Sequence, residues 1–89
     1  MSHLAKDKAK LLARVRRLKG QMEAIETAIG TASCAEILNQ VASVRGAING
    51  LMAELIEDHV REHIIDASNT AKRSEGANEL IEVVKAYLK

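Results

Sequence analysis

The sequence predicts an all-α fold built from three helices in one domain. Its 89 residues suffice for one domain, and there is no proline to interrupt a helix. The apolar content comes from Ala, Leu, Ile, Val and Met, and Tyr87 is the single aromatic residue. Alanine and unbranched side chains lose little entropy in a helix. A core of this size without large aromatics is thin, so we expect chains to associate.

The first helix is predicted over about residues 4–29. Its apolar residues follow steps of four, three, four, three and four, as in a helix packed against other helices. These residues are Leu11, Val15, Leu18, Met22, Ile25 and Ile29. Gly30 follows them and is expected to end the helix in the usual way for a glycine.

The second helix is predicted over about residues 34–65 and begins at the motif SCAE. Ser33 is expected to cap it, and Glu36 to complete a capping box. Cys34 is then the first helical residue, where the helix dipole favours a thiolate. The apolar stripe that follows is Ile37, Val41, Val44, Ile48, Leu51 and Leu55, and it leads on to His59 and His63. A helix of roughly 50 Å with such a stripe needs a partner chain.

The third helix is predicted over about residues 74–88, after a polar connection over 66–73 that is rich in turn formers. Its apolar residues are Leu80, Ile81, Val84, Tyr87 and Leu88. No signal peptide is visible, and no apolar segment approaches the length of a membrane span. With a single cysteine, the chain is expected to work in the reducing cytoplasm.

The net charge of +1 conceals an asymmetry. Residues 1–21 hold seven basic residues and one acid, whereas the rest of the chain holds six basic and eleven acidic residues. Four of these basic residues fall with one glutamine on a single arc of the first helix, next to the apolar stripe: Lys6, Lys10, Arg14, Arg17 and Gln21. A solvated face is the ordinary alternative, but a stripe nearly free of acids favours contact with phosphates. No helix-turn-helix pattern is evident.

The segment DHVREH contains two histidines, His59 and His63, which lie one turn apart on the same helix face. That spacing suits a metal ion, but Val60 stands where a zinc peptidase needs glutamate. The alternative is a pair of histidines at a polar helix end. Cys34 lies 25 residues before His59, nearly 40 Å along a straight helix. If the helix is straight, Cys34 cannot share an ion with the histidines of its own chain, but it could meet those of a second chain if the two long helices pair antiparallel.

His3 is the remaining soft or borderline ligand, close to the N-terminal amine. If Met1 is removed, the amine of Ser2 and His3 could bind together. If Met1 is retained, His3 is the third residue of a chain with a free N-terminal amine. That arrangement can hold Ni(II) or Cu(II) in a square plane. The sequence leaves both possibilities open.

Three segments resemble the CsoR/RcnR family of bacterial metal- and stress-sensing repressors: RVRRLKGQMEAIE (14–26), CAEILNQVASVRGAINGLMAELIEDHVREH (34–63) and VVKAYLK at the end. The resemblance implies three helices per chain, an antiparallel helical-bundle dimer and a dimer of dimers. It implies a repressor that leaves operator DNA when its inducer binds. The expected DNA contacts are Lys10, Arg14, Arg17, Gln21 and Arg45, with Arg16 and Lys19 off the stripe.

The residues at the sensing positions resemble the nickel/cobalt type of this family. Repressors of that type have Ser-His at the N-terminus, followed later in the chain by one cysteine and two histidines. The implied metal ligands are His3, Cys34, His59 and His63, with Ser2 and Glu62 as further candidates. Ser33 departs from the type, which often has an acid there. One thiolate, several nitrogens and carboxylates suit Ni(II) or Co(II), and Zn(II) could use a subset.

The related sensor types fit less well. Copper and persulfide sensors need a second cysteine, and formaldehyde sensors carry proline at position 2 and lack the final histidine. The alternative within the family is a formaldehyde-responsive repressor that uses Cys34 and the N-terminal amine. The alternative from another class is a helical metal-binding scaffold that never touches DNA. An enzyme is not expected, because no nucleophile–base pair is evident.

Overall fold

The computed structural model describes residues 8–87, and within this range the chain is all-α with no strand. Helix α1 spans Lys8–Ala28, α2 spans Cys34–Val60 and α3 spans Thr70–Tyr87. A π turn over Arg61–Ile65 continues α2. The predicted all-α class with three helices is confirmed. The expected start of the first helix at residue 4 and the end of the third at 88 lie outside the described residues.

Helix α1 ends close to the predicted position, but not through a left-handed glycine. The amides of Thr31 and Ala32 both donate to the carbonyl of Ala28, at 3.0 and 2.8 Å. No glycine in the described range has a positive φ, so Gly30 does not form the left-handed cap that often ends helices. The helix is closed by these backbone hydrogen bonds, without the special conformation of glycine.

The start of α2 follows the predicted cap at Ser33. The Glu36 amide donates to Ser33 Oγ at 3.2 Å, and the Ile37 amide donates to the Ser33 carbonyl at 3.1 Å. The bond from the Glu36 amide is the one that a serine N-cap supplies to the third helical residue. It fixes Cys34 as the first residue of α2.

One helix boundary differs from the prediction, and one helix end has a different conformation. Helix α3 begins at Thr70, four residues before the expected start, because Asn69 caps it: the Lys72 amide donates to Asn69 Oδ1 at 2.8 Å. Because residues 66–73 are polar, the sequence analysis predicted a connection there and missed the capping residue Asn69. The second helix reaches residue 65 as expected, but its last five residues form a π turn, in which the Asp66 amide donates to the Arg61 carbonyl at 2.8 Å.

The chain divides within α2 into two compact units, one ending at Met52 and the other beginning at Ala53. In the first unit, α1 packs antiparallel on α2. Gln21 and Gln40 line one small cavity, whereas Arg14, earlier in α1, lies beside Gly50, later in α2.

The predicted apolar stripes of this first unit split into two rows. The inner row contains every seventh residue of each helix: Leu11, Leu18 and Ile25 of α1, and Ile37, Val44 and Leu51 of α2. Ile25 and Val44 are its best-buried members, at 8% and 6% exposure. The outer row contains Val15 and Met22 of α1, Ile29 directly after it, and Val41 and Ile48 of α2, all exposed. Among the residues that the structure describes, only the inner row of each stripe is therefore covered.

In the second unit, the π turn packs against α3. Gly76 is the buried residue of α3. A Cβ added there would lie 2.8 Å from both the carbonyl carbon and the Cβ of His63, and closer still to the His63 carbonyl oxygen. Only glycine permits this approach of the two backbones. None of the helices within residues 8–87 combines the length and the apolar character needed to cross a membrane.

Candidate metal centre and nucleic-acid interface

The two histidines of DHVREH lie together in the second unit. His59 belongs to the last turn of α2 and His63 to the π turn. Their ring centroids are 4.8 Å apart, and the rings are tilted by 39°. The sequence spacing thus predicted correctly that the two imidazoles share one face.

The ring of His59 is held by α3. Its Nε2 lies 2.9 Å from the Gly76 carbonyl oxygen and 3.9 Å from Glu79 Oε1. Because a carbonyl can only accept a hydrogen bond, Nε2 carries the proton, and the lone pair of the neutral ring lies on Nδ1. Histidines that bind metals are usually oriented in this way by a second bond from the other ring nitrogen.

His63 is more open and lies among carboxylates. Its side chain is 49% exposed, and its Nε2 is 3.9 Å from Oε1 of Glu62, which is 18% exposed. The ring borders an open cleft of about 480 Å³. The charged residues that line this cleft are Glu62, Asp66, Lys72, Glu75 and Glu79. Glu62, a possible further ligand by sequence, is therefore next to the histidine pair.

Of the other predicted ligands, the structure describes only Cys34, which belongs to the first unit. Cys34 is a free, exposed thiol at the start of α2. His3 and Ser2 lie outside the described residues. Within residues 8–87, no three His, Cys, Asp or Glu side chains are grouped so that they could hold a metal ion.

Most of the predicted DNA-binding residues are exposed. On α1 these are Lys10, Arg16, Arg17 and Lys19, and on α2 Arg45. Arg14 is only partly exposed, because its guanidinium lies across Gly50: a Cβ built on that glycine would be 3.0 Å from Arg14 Nη2. The basic stripe is therefore not one uniform solvent-facing row.

Gln21, which the sequence analysis placed on the basic stripe, is only partly exposed. Its Oε1 is buried without a hydrogen-bond partner, as is Oε1 of Gln40. Both side chains line a cavity of about 170 Å³ between α1 and α2, together with Ala24 and Ser43. The physical reason is spacing: Gln21 lies three residues after Leu18 and four before Ile25, on the face that packs against α2.

Sequence reasoning missed two residues that support the histidines, Gly76 and Arg73. Arg73 Nε donates to the Ile64 carbonyl of the π turn at 3.0 Å, and Gly76 contacts His63 and accepts the bond from His59. The signal for Gly76 was available, because a glycine within a helical pattern often marks a close approach of two backbones. No pattern in the sequence marked Arg73.

Taken together, the fold and the site define a small all-helical protein that combines a supported histidine pair with exposed basic residues. The family described as metal-sensitive transcriptional repressor matches residues 7–86, and the chain belongs to it. The resemblance to the CsoR/RcnR family is confirmed, and this is a family of transcriptional repressors, not of enzymes.

The relatives match over the full length. The chain is 41% identical to the transcriptional repressor RcnR of Salmonella typhimurium, over 100% of both chains. It is 50% identical to an uncharacterised protein from the bioA 5′ region of Serratia marcescens, also over 100% of both. Among solved structures it is similar to a glutamate-to-histidine variant of the formaldehyde-responsive regulator FrmR from Salmonella enterica serovar Typhimurium. That match has a TM-score of 0.85 and 41% identity, and it covers 96% of this chain and 98% of the other.

Proposed function

We propose that this repressor responds to Ni(II) or Co(II): it binds operator DNA and leaves the DNA when the metal binds. The observation that carries the proposal is the pair His59 and His63, whose rings are 4.8 Å apart. Because His59 Nε2 is held by the Gly76 carbonyl at 2.9 Å, its Nδ1 is the nitrogen available to a metal. The proposed ligands are His3, Cys34, His59 and His63, with Ser2, Glu62 and the N-terminal amine as candidates for the remaining positions.

The donor set favours nickel and cobalt over copper. Imidazole nitrogens with one thiolate and a carboxylate suit Ni(II) and Co(II) at five or six coordination, whereas Cu(I) favours more sulfur. Glu62 lies beside His63 and can add a carboxylate oxygen. Zn(II) could bind with four of these ligands.

A second copy of the chain would complete this site. Val15, Met22 and Ile29 are exposed at 44%, 53% and 67%, and they repeat every seven residues, as in a helix packed on a partner. Val41 and Ile48 of α2 are likewise exposed and lie seven residues apart. If two copies of α2 pair antiparallel, Cys34 of one chain can meet His59 and His63 of the other. We propose such a dimer, and a dimer of dimers as the working homotetramer in the cytoplasm.

The DNA-binding surface is proposed to centre on Lys10, Arg17 and Arg45, whose side chains are exposed. Arg14 lies at its edge, and Arg16 and Lys19 can add contacts to phosphates. Gln21, with its buried oxygen, would support the packing of α1 and not contact the duplex. Such phosphate contacts give affinity that falls with salt and carry no sequence information by themselves.

The proposed mechanism is thermodynamic linkage between the two sites. His59 and His63 at one end of α2 and Cys34 at the other would be joined through partner chains, which favours one arrangement of the oligomer. In that arrangement the basic residues no longer fit the DNA duplex, so the protein without bound DNA is favoured. Linkage is reciprocal, so DNA must weaken metal binding by the same factor.

The test is a titration of operator binding against Ni(II), Co(II), Zn(II), Cu(I) and formaldehyde in one buffer at fixed ionic strength, read by fluorescence anisotropy. Release by Ni(II) or Co(II) at the lowest concentration is the expected result. Release by formaldehyde alone would instead support the second candidate, a formaldehyde-responsive repressor that uses Cys34 and the N-terminal amine. The similarity to the formaldehyde-responsive regulator favours that candidate. Absence of DNA binding under every condition would support a metal-binding scaffold.

A further inference from the structure

We propose that Gly76 and Arg73 of α3 are positioning residues that set the direction of both histidine ligands through the π turn. The inference rests on the proposed function, because it assigns roles toward the same metal site. It concerns residues of α3 that are not themselves metal ligands.

The first step is the π turn itself. A π turn inserts one residue into a helix, and such turns are frequent at functional sites. Here the Asp66 amide reaches back to the Arg61 carbonyl at 2.8 Å, a spacing of five residues. The inserted residue rotates His63 relative to its place in a regular α-helix. The direction of the His63 side chain therefore depends on whether the turn persists.

The second step is what holds the turn in place. Arg73 Nε donates to the Ile64 carbonyl at 3.0 Å. This bond ties the residue that follows His63 to α3. The Arg73 side chain is thus positioned to stabilise the π form of this segment over a regular helical turn.

The third step is the double role of Gly76. Its carbonyl accepts the bond from His59 Nε2 at 2.9 Å, and its Cα faces the His63 backbone, where an added Cβ would lie 2.8 Å from His63 Cβ. One buried residue therefore fixes the tautomer of His59 and the backbone position of His63. Because both histidines contact Gly76, α3 sets the distance between the two imidazole rings.

The test compares Gly76→Ala with Ser74→Ala, which makes a change of similar size at an exposed position of the same helix. Long-range ¹H–¹⁵N NMR of the metal-free full-length protein reports the tautomers of His59 and His63. Wild type and Ser74→Ala should show His59 protonated at Nε2, and Gly76→Ala should lose that signature. Circular dichroism would show that the helices are retained.

Metal binding gives the second readout, with Co(II) as the probe through its ligand-field absorption. We expect Gly76→Ala to weaken Co(II) binding by about 10- to 100-fold, as changes in the partners of metal ligands do, and to alter the spectrum. A Gly76→Ala protein that keeps the His59 tautomer and the wild-type Co(II) affinity and spectrum would overturn the proposal.

Arg73→Ala keeps the proposal testable if Gly76→Ala does not fold. It removes the donor to the Ile64 carbonyl, whereas Lys85→Ala removes an exposed charge from the same helix away from the cleft. Arg73→Ala should change the His63 signals and weaken Co(II) binding, and Lys85→Ala should do neither. Equal behaviour of these two variants would contradict the role of Arg73. If wild type binds neither Co(II) nor Ni(II), the proposed function fails, but the NMR comparison in the metal-free protein still decides whether these residues position the histidines.

Discussion

The Gly76 carbonyl accepts a hydrogen bond from Nε2 of His59 at 2.9 Å, across 17 residues of sequence. The bond joins the end of α2 to the middle of α3. It also decides which nitrogen of His59 is free, because a ring whose Nε2 donates presents Nδ1 as its lone pair. The same contact therefore contributes to the stability of this unit and to its proposed metal binding.

Replacing His59 should separate these two roles. In His59→Gln the side-chain amide retains a donor for the Gly76 carbonyl, whereas His59→Ala has none. We expect His59→Ala to lower the free energy of unfolding by about 1 kcal/mol relative to His59→Gln, the net value of one hydrogen bond. Both variants should lose Co(II) affinity, because neither has an imidazole. Urea unfolding and Co(II) titration measure the two effects, and equal stability of the two variants would argue against the bond.

His63→Glu should remove the response to metal while leaving DNA binding intact. The substitution exchanges a nitrogen ligand for a carboxylate at a position that borders the cleft beside Glu62. The Ni(II) concentration needed for release from DNA should rise by at least about tenfold, since even changes in the partners of ligands cost that much. Fluorescence anisotropy with labelled operator DNA measures the release. Glu57→Gln, at an exposed position of α2, is the control, and an unchanged response of His63→Glu would remove His63 from the ligand set.

Lys10→Ala combined with Arg17→Ala should weaken operator binding and its dependence on salt. Both side chains are exposed on α1, and each phosphate contact that is lost should reduce the slope of log K against log salt by about 0.9. The slope is measured by anisotropy over a series of salt concentrations. Lys72→Ala combined with Lys85→Ala removes the same charge from α3 and should leave the slope unchanged. If both double variants behave alike, net charge and not a surface on α1 governs binding.

Gln21→Met combined with Gln40→Met should stabilise the metal-free protein. Both amide oxygens are buried without a partner beside a cavity of about 170 Å³. A buried polar group left unsatisfied costs about 1–3 kcal/mol, and methionine fills a similar space without that cost. Thermal and urea unfolding would show the gain. Asn39→Met, at an exposed position of α2, controls for added hydrophobicity, and a less stable double variant would show that the two amides are satisfied in solution.

Asn69→Ala should destabilise the protein by about 1 kcal/mol, the usual cost of removing an asparagine N-cap. Asn69 Oδ1 accepts the Lys72 amide at 2.8 Å and so satisfies one free donor at the start of α3. Ser68→Ala, one residue earlier and exposed, should have little effect. Urea unfolding compares them, and equal stability of the two variants would show that the cap contributes nothing.

The sequence by itself determined the helices and most of their ends. Local features set these properties: the three- and four-residue spacing of apolar side chains, and the cap at Ser33. The same local geometry placed His59 and His63 on one face, since residues four apart in a helix are neighbours wherever the helix packs. The start of α3 could also have been found from the sequence, because Asn69 is a strong capping residue.

Tertiary structure decided which residues face inward and how the histidines are supported. Lys10 and Gln21 both belong to the predicted stripe of α1, yet Lys10 is exposed and the Gln21 oxygen is buried. Their difference depends on which side of α1 meets α2. The approach of Gly76 to His63 likewise depends on the packing of α3 against the π turn. These contacts join segments far apart in the chain, so their free energies act only after the helices have formed and packed. A local pattern can mark a residue such as Gly76, but it does not say which segment that residue meets.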